Sequence, residues 1–285
     1  MTRQRGFSLV ELVLVMTILG VIGAMATIFF KPAMDAFFAT TRRAAILDMA
    51  DTALRKIGRD VRVAVPNSLR IPSSQCFELV PTSTGGRYRM AVDTVNAGSV
   101  ALDIDAPVTT FDVLSPMTTM PVANDWVVIN NQYVNDVYAG VNASQIILGG
   151  VTTPASAAGL SRLTVNAIQF PTGYTGGRFS VVPGNGLNPA LFYVCSGADG
   201  SLDSSGNGKG TLYRLARPFV AAYPTSCPAT AGAAVVASNV TSCNFIYDAS
   251  QDGTQQSALL WMQLKITQGN ESADLVYGVH VDNVP

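Results

Sequence analysis

The pattern of apolar and polar positions changes character twice along this chain, and each change marks an element. From Phe7 to Phe30 the residues form an apolar run broken by one charge, Glu11. At ~1.5 Å per helical residue such a run spans about 36 Å, enough for the roughly 30 Å hydrocarbon core of a bilayer. From Ala36 to Val65 the apolar positions thin out to three- and four-residue spacing: Ile46, Ala50, Ala53 or Leu54, Ile57 and Val61. Arg42, Arg43, Asp48, Asp51, Arg55, Lys56, Arg59 and Asp60 lie between them, which is the signature of an amphipathic helix. Pro66-Asn67 ends it. The two patterns together predict one helix over residues 8–64, about 85 Å long by the same rise. Lys31-Pro32 is a place where it can bend, because proline removes a backbone donor and crowds the preceding turn.

Beyond residue 66 the period shortens to two, in short runs separated by Gly, Pro, Asn, Asp and Ser. Strands are predicted at 100–104, 125–129, 146–148, 163–165, 179–182, 191–195, 211–215, 245–247, 260–266 and 275–281. In the clearest of them Leu260, Met262, Leu264 and Ile266 alternate with Trp261, Gln263 and Lys265, so one face is expected to be buried. One long helix followed by many short strands predicts an α+β fold, a long N-terminal helix packed on a β-rich antiparallel head. The expected divisions are a leader at 1–6, a membrane or filament-core helix at 7–30, its amphipathic continuation at 31–65, and the head at 66–285.

The start of the chain admits three readings. Arg3 and Arg5 precede the apolar run and few charges follow it, which orients the N-terminus towards the cytoplasm and the head outside. A secretory signal would use Ala24-Met25-Ala26 as its cleavage site, before Thr27. A plain anchor would leave Glu11 unexplained, and a carboxylate inside a membrane segment costs about 2.5–3.5 kcal/mol on insertion scales. The third reading uses every feature. The stretch Gly6-Phe7-Ser8-Leu9-Val10-Glu11-Leu12 resembles the prepilin signature shared by type IV pilins and type II secretion pseudopilins. That resemblance implies cleavage after Gly6 by a membrane prepilin peptidase and methylation of the new amine on Phe7. It also implies that Glu11 pairs with the amine of a neighbouring subunit, so that two charges costly alone are tolerable together. Gly20 and Gly23 in the run either permit close packing or local melting, or are simply tolerated in a lipid-facing helix.

Composition narrows the chemistry. A formal net charge of −1 with 13% charged residues argues against a nucleic-acid binder built on bulk electrostatics. The only histidine is His280, in the alternating stretch Val279-His280-Val281, where a strand's polar face is the simplest reading. Histidine-based nucleophilic or metal chemistry therefore has little to draw on, and no enzymatic activity or cofactor is expected. Asp199 to Asn207 places oxygen ligands at alternating positions, loosely like a calcium loop, but lacks the central glycine and closing glutamate of one, so a turn is expected. The aromatics Trp126, Tyr133, Tyr138, Phe192, Tyr193 and Trp261 read as core and sheet-surface residues. Cys76, Cys195, Cys227 and Cys243 all follow the apolar run, contain no Cys-x-x-Cys, and suit two disulfides in an exported domain. Three connectivities are open; Cys227 with Cys243, closing a short loop, and Cys76 with Cys195 are preferred.

A closer resemblance extends along the chain. Asp48 to Arg62, the following Ala64 to Arg70, the regions Tyr193-Val194-Cys195 and Leu212-Tyr213-Arg214, and the ending Val279 to Pro285 are similar to minor pilins of the mannose-sensitive haemagglutinin type IV pilus. This implies a low-abundance subunit that helps initiate or cap a filament, working with other minor and major pilins and an inner-membrane assembly platform. The same resemblance places the protein in the inner membrane before assembly and on a surface pilus afterwards. The presence of Glu11 implies a subunit that docks beneath another. A type II secretion pseudopilin and a tip-displayed adhesin are the alternatives.

Overall fold

The structure is a computed structural model, and it describes residues 8–139, 144–173, 176–248 and 257–284. A single helix, α1 (Leu9–Arg62), forms the stem. Ser8 caps it, its side chain accepting from Glu11 N at 3.4 Å, and Arg59 and Arg62 sit in the last turn, where cations complement the helix dipole. The helix continues through Pro32.

The first sheet has seven antiparallel strands. In spatial order they are β1 (Arg70–Ser73), β2 (Cys76–Leu79), β9 (Ala190–Ser196), β10 (Gly210–Arg217), β11 (Ala234–Asp248), β12 (Ser257–Gln268) and β13 (Glu271–Asp282). Between β2 and β9 the chain builds a second, six-stranded antiparallel sheet in the order β3 (Thr84–Arg87), β8 (Arg178–Val182), β5 (Trp126–Val128), β6 (Gln145–Thr152), β7 (Ser161–Ile168) and β4 (Val108–Val113). This sheet curls until its ends meet: Leu114 N donates to Arg87 O at 2.8 Å and Arg89 N to Asp112 O at 2.9 Å. Closure removes the two free edges that an open sheet would expose.

The second half of α1 lies on the first sheet. Ile46, Ala50, Ala53, Leu54, Ile57 and Val61 are buried against Leu260, Met262, Leu264 and Ile266 of β12 and Val279 and Val281 of β13. The predicted alternation of β12 is thus the observed one. Gly58 allows the closest approach, since a Cβ there would lie 2.9 Å from Tyr277 Cε1. A polar latch adds direction: Tyr193 Oη donates to Asp60 Oδ2 at 2.7 Å and Arg214 Nε donates to the same oxygen at 3.0 Å. The closed sheet has its own core around Phe111, Phe179, Leu148 and Leu163. A third cluster, including Val65, Val80, Val128, Tyr138 and Val182, joins the two.

Arg70 ties these parts together. It is fully buried, pairs with Glu78 at 2.8 Å, and lies with its guanidinium carbon 3.3 Å from the centre of the Tyr138 ring. It also donates to Asn135 Oδ1 and to the carbonyls of Val220 and Ala222, in a strap over residues 218–233. Burial pushes the Glu78 carboxyl up to about 7, with Arg70 pulling it back.

The preferred disulfide pairing is corrected. Cys76 joins Cys227 and Cys195 joins Cys243, with Cα separations of 5.7 and 6.5 Å. The reason is the period of two. Cys76 stands opposite Val194 on the neighbouring strand, so Cys195 projects to the other face of the sheet. Cys76 packs with Phe192 and Val194 on the outer face, where the strap brings Cys227; Cys195 and Cys243 lie in the core shared with α1. The segment 100–104 is a second correction, for it forms no strand. Its backbone is satisfied instead by Leu102 N donating to Arg89 O and Val100 N to Asp112 Oδ2.

Candidate functional site

The functional element that the structure isolates is the first half of α1. No residue from Leu9 to Ala45 is buried, and buried positions begin at Ile46. Large apolar side chains are exposed all round it, from Leu9 at 78% to Phe29 at 74% and Phe38 at 51%. At ~1.5 Å per residue the part from Leu9 to Thr41, before Arg43 reaches Glu271, stands about 50 Å clear of the head. A helix apolar on every side cannot be stable in water on its own account and calls for lipid or packed neighbours. Its length and composition suffice to cross a membrane.

Glu11 occupies the first turn of this helix, with its backbone N–H engaged by the Ser8 hydroxyl. The side chain is exposed and makes no ion pair among the described residues. Gly6 and Phe7, the expected cleavage and methylation positions, lie outside the described residues.

The other sequence candidates fall into ordinary structural roles. Asp203 accepts from the backbone of Ser205 and Asn207 and from Asn207 Nδ2, which holds its carboxylate below the usual range, and Asp199 accepts from Ser201 N. Those oxygens shape a turn. No cluster of potential metal ligands occurs among the described residues. His280 is exposed on β13, opposite Leu259. Tyr138, Phe192 and Tyr193 are buried, Trp126 packs edge-on to Phe219, and of the exposed pair Trp261 lies on β12 and Tyr133 in the loop after β5.

An apolar stem with a solitary carboxylate near its start, on a β-rich antiparallel head, defines an α+β protein of pilin-like architecture, and the stem fits membrane anchoring. Residues 1–27 match the family model described as the prokaryotic N-terminal methylation motif. The match supports a type IV pilin-like protein, a class that includes pseudopilins, and with it processing by a peptidase and interaction with other pilins. No curated protein and no solved structure matches the chain.

Proposed function

We propose that this protein is a minor pilin of a type IV pilus of the mannose-sensitive haemagglutinin kind, similar to the MshO subunit, and that it helps to initiate or cap the filament within a tip complex. The observation that carries the reading is Glu11 standing exposed on a stem that the head does not cover, within a methylation motif. In this reading a peptidase cuts after Gly6, the amine of Phe7 is methylated, and Glu11 pairs with the amine of the subunit above. The stem is drawn from the bilayer, where the head lies on the periplasmic side, into the filament core, and the head is carried to the cell surface. No catalytic step is assigned to it. The similarity of residues 48–70 and of the C-terminal stretch to minor pilins supports this subclass over a type II secretion pseudopilin.

The test is crosslinking in the native membrane followed by identification of partners. Minor pilus subunits are expected. Recovery of secretion pseudopilins alone would move the protein to the other branch of the class.

A further inference from the structure

The end of α1, the outer face of the closed sheet and the C-terminal tail enclose a cleft of about 460 Å³. Three of its lining residues are arginines: Arg62 from the last turn of α1, Arg87 from the end of β3 and Arg178 from the start of β8. Arg87 and Arg178 are directly opposite in the antiparallel ladder. Like charges in that position repel and weaken a sheet. Neither guanidinium makes an ion pair among the described residues. Arg62 donates only to the neutral Tyr277 hydroxyl, at 3.0 Å. The one carboxylate side chain on the wall among the described residues, Asp282, accepts from Val284 N at 3.0 Å and makes an ion pair with none of the three.

The basic character continues out of the cleft. Lys56 and Arg59 precede Arg62 at three-residue intervals, so all three lie along one exposed strip of the helix. Asp60, the nearest acid in sequence, is turned away to Tyr193 and Arg214. Arg70, Arg162 and Arg43 are matched, with Glu78, Asp112 and Glu271, whereas the three arginines on the cleft wall have no carboxylate partner among the described residues.

We propose that this cleft and strip form the docking site for an acidic, extended peptide segment of a partner protein. Guanidinium forks pair with carboxylates two bonds at a time, which suits three arginines around one hollow. Apolar groups on the wall, the exposed Val63 and the half-buried Val284, suit a polypeptide better than the uniform charge of a nucleic-acid duplex, and the volume accommodates a few residues. The opposed Arg87 and Arg178 cost the free protein stability and recover it when carboxylates arrive. The site does not depend on whether the partner is a filament subunit.

The full-length protein in detergent micelles, titrated with fluorescein-labelled hexaglutamate and followed by anisotropy, tests this. Saturable binding that weakens with salt is expected, and the R87Q/R178Q double variant should lose about tenfold or more in affinity. R55Q, which removes a cation already paired with Asp51, should leave affinity unchanged. In the unliganded protein R178Q should raise the thermal midpoint by about 2 °C, because repulsion is relieved. A lowered midpoint would make the arginines structural and overturn the proposal. So would absence of binding, binding indifferent to the double variant, or equal competition by inorganic phosphate or a short DNA duplex.

Discussion

The two halves of α1 share one backbone and differ in everything that surrounds it. From Ile46 to Val61 the apolar residues occupy a single stripe and are buried on β12 and β13. From Leu9 to Ala45 apolar residues face every direction and none is buried by the described residues. The second half owes its helicity to tertiary packing; the first touches the head only at its end, through Arg43 and Glu271, has no apolar partner among the described residues and needs another environment. The difference shows that stability of the head and function of the stem are separable properties of one continuous element. A change in one half should leave the other's readout intact.

The largest effect is expected at the stem. Glu11→Ala should abolish incorporation into filaments while leaving the head's unfolding midpoint unchanged, as read by sheared-filament immunoblots beside circular dichroism. A destabilised head would break the separation. In the other region, Cys195→Ala with Cys243→Ala opens a cross-link between residues 48 apart and should cost about 4 kcal/mol in urea unfolding, with membrane insertion unaffected. Ile57→Ala removes a side chain at 0% exposure from the helix–sheet contact and should cost about 3 kcal/mol, again without loss of insertion.

The smallest effect concerns pH. The Glu78 carboxyl is raised from 4.5 to about 7 in the folded protein. Between those values the folded state holds a proton that the unfolded state has released. This contribution to stability is therefore full below about 4.5 and is lost as pH rises through about 7. Glu78→Gln should flatten that decline in a series of unfolding midpoints from pH 4.5 to 8. An undiminished slope would assign it to other groups.

Much of this organisation was legible in the sequence, for reasons that also explain the failures. The apolar run and the spaced apolar positions after it located the two outer ends of α1 within two residues, because helical burial repeats over many turns, whereas burial begins at Ile46, well beyond the expected division at 30/31. The alternation in β12 was equally clear. Strands β1 to β3 carry no alternation to read, each for its own reason. Arg70–Ser73 carries a proline, Thr84–Arg87 carries two glycines, and Cys76–Leu79 is buried at every position and so shows no alternation. Nearness in sequence misled the disulfide pairing, because facing across a sheet, not loop length, decides which cysteines meet. The arginine cleft had no sequence signal at all: Arg87 and Arg178 meet only through the pairing of β3 with β8, and the end of α1 brings Arg62 beside them. At Glu11 the sequence supplied the position and the resemblance supplied the role, while the structure adds that no described side chain pairs with it.

The central claim is that the stem is a processed pilin helix rather than a signal or a simple anchor. The intact mass of the protein purified from its native membrane tests it most directly. The account predicts a chain that begins at Phe7, is heavier by one methyl group, and is lighter by the hydrogens lost to two disulfides. A chain beginning at an unmodified Thr27, or one retaining Met1 to Gly6, would contradict it.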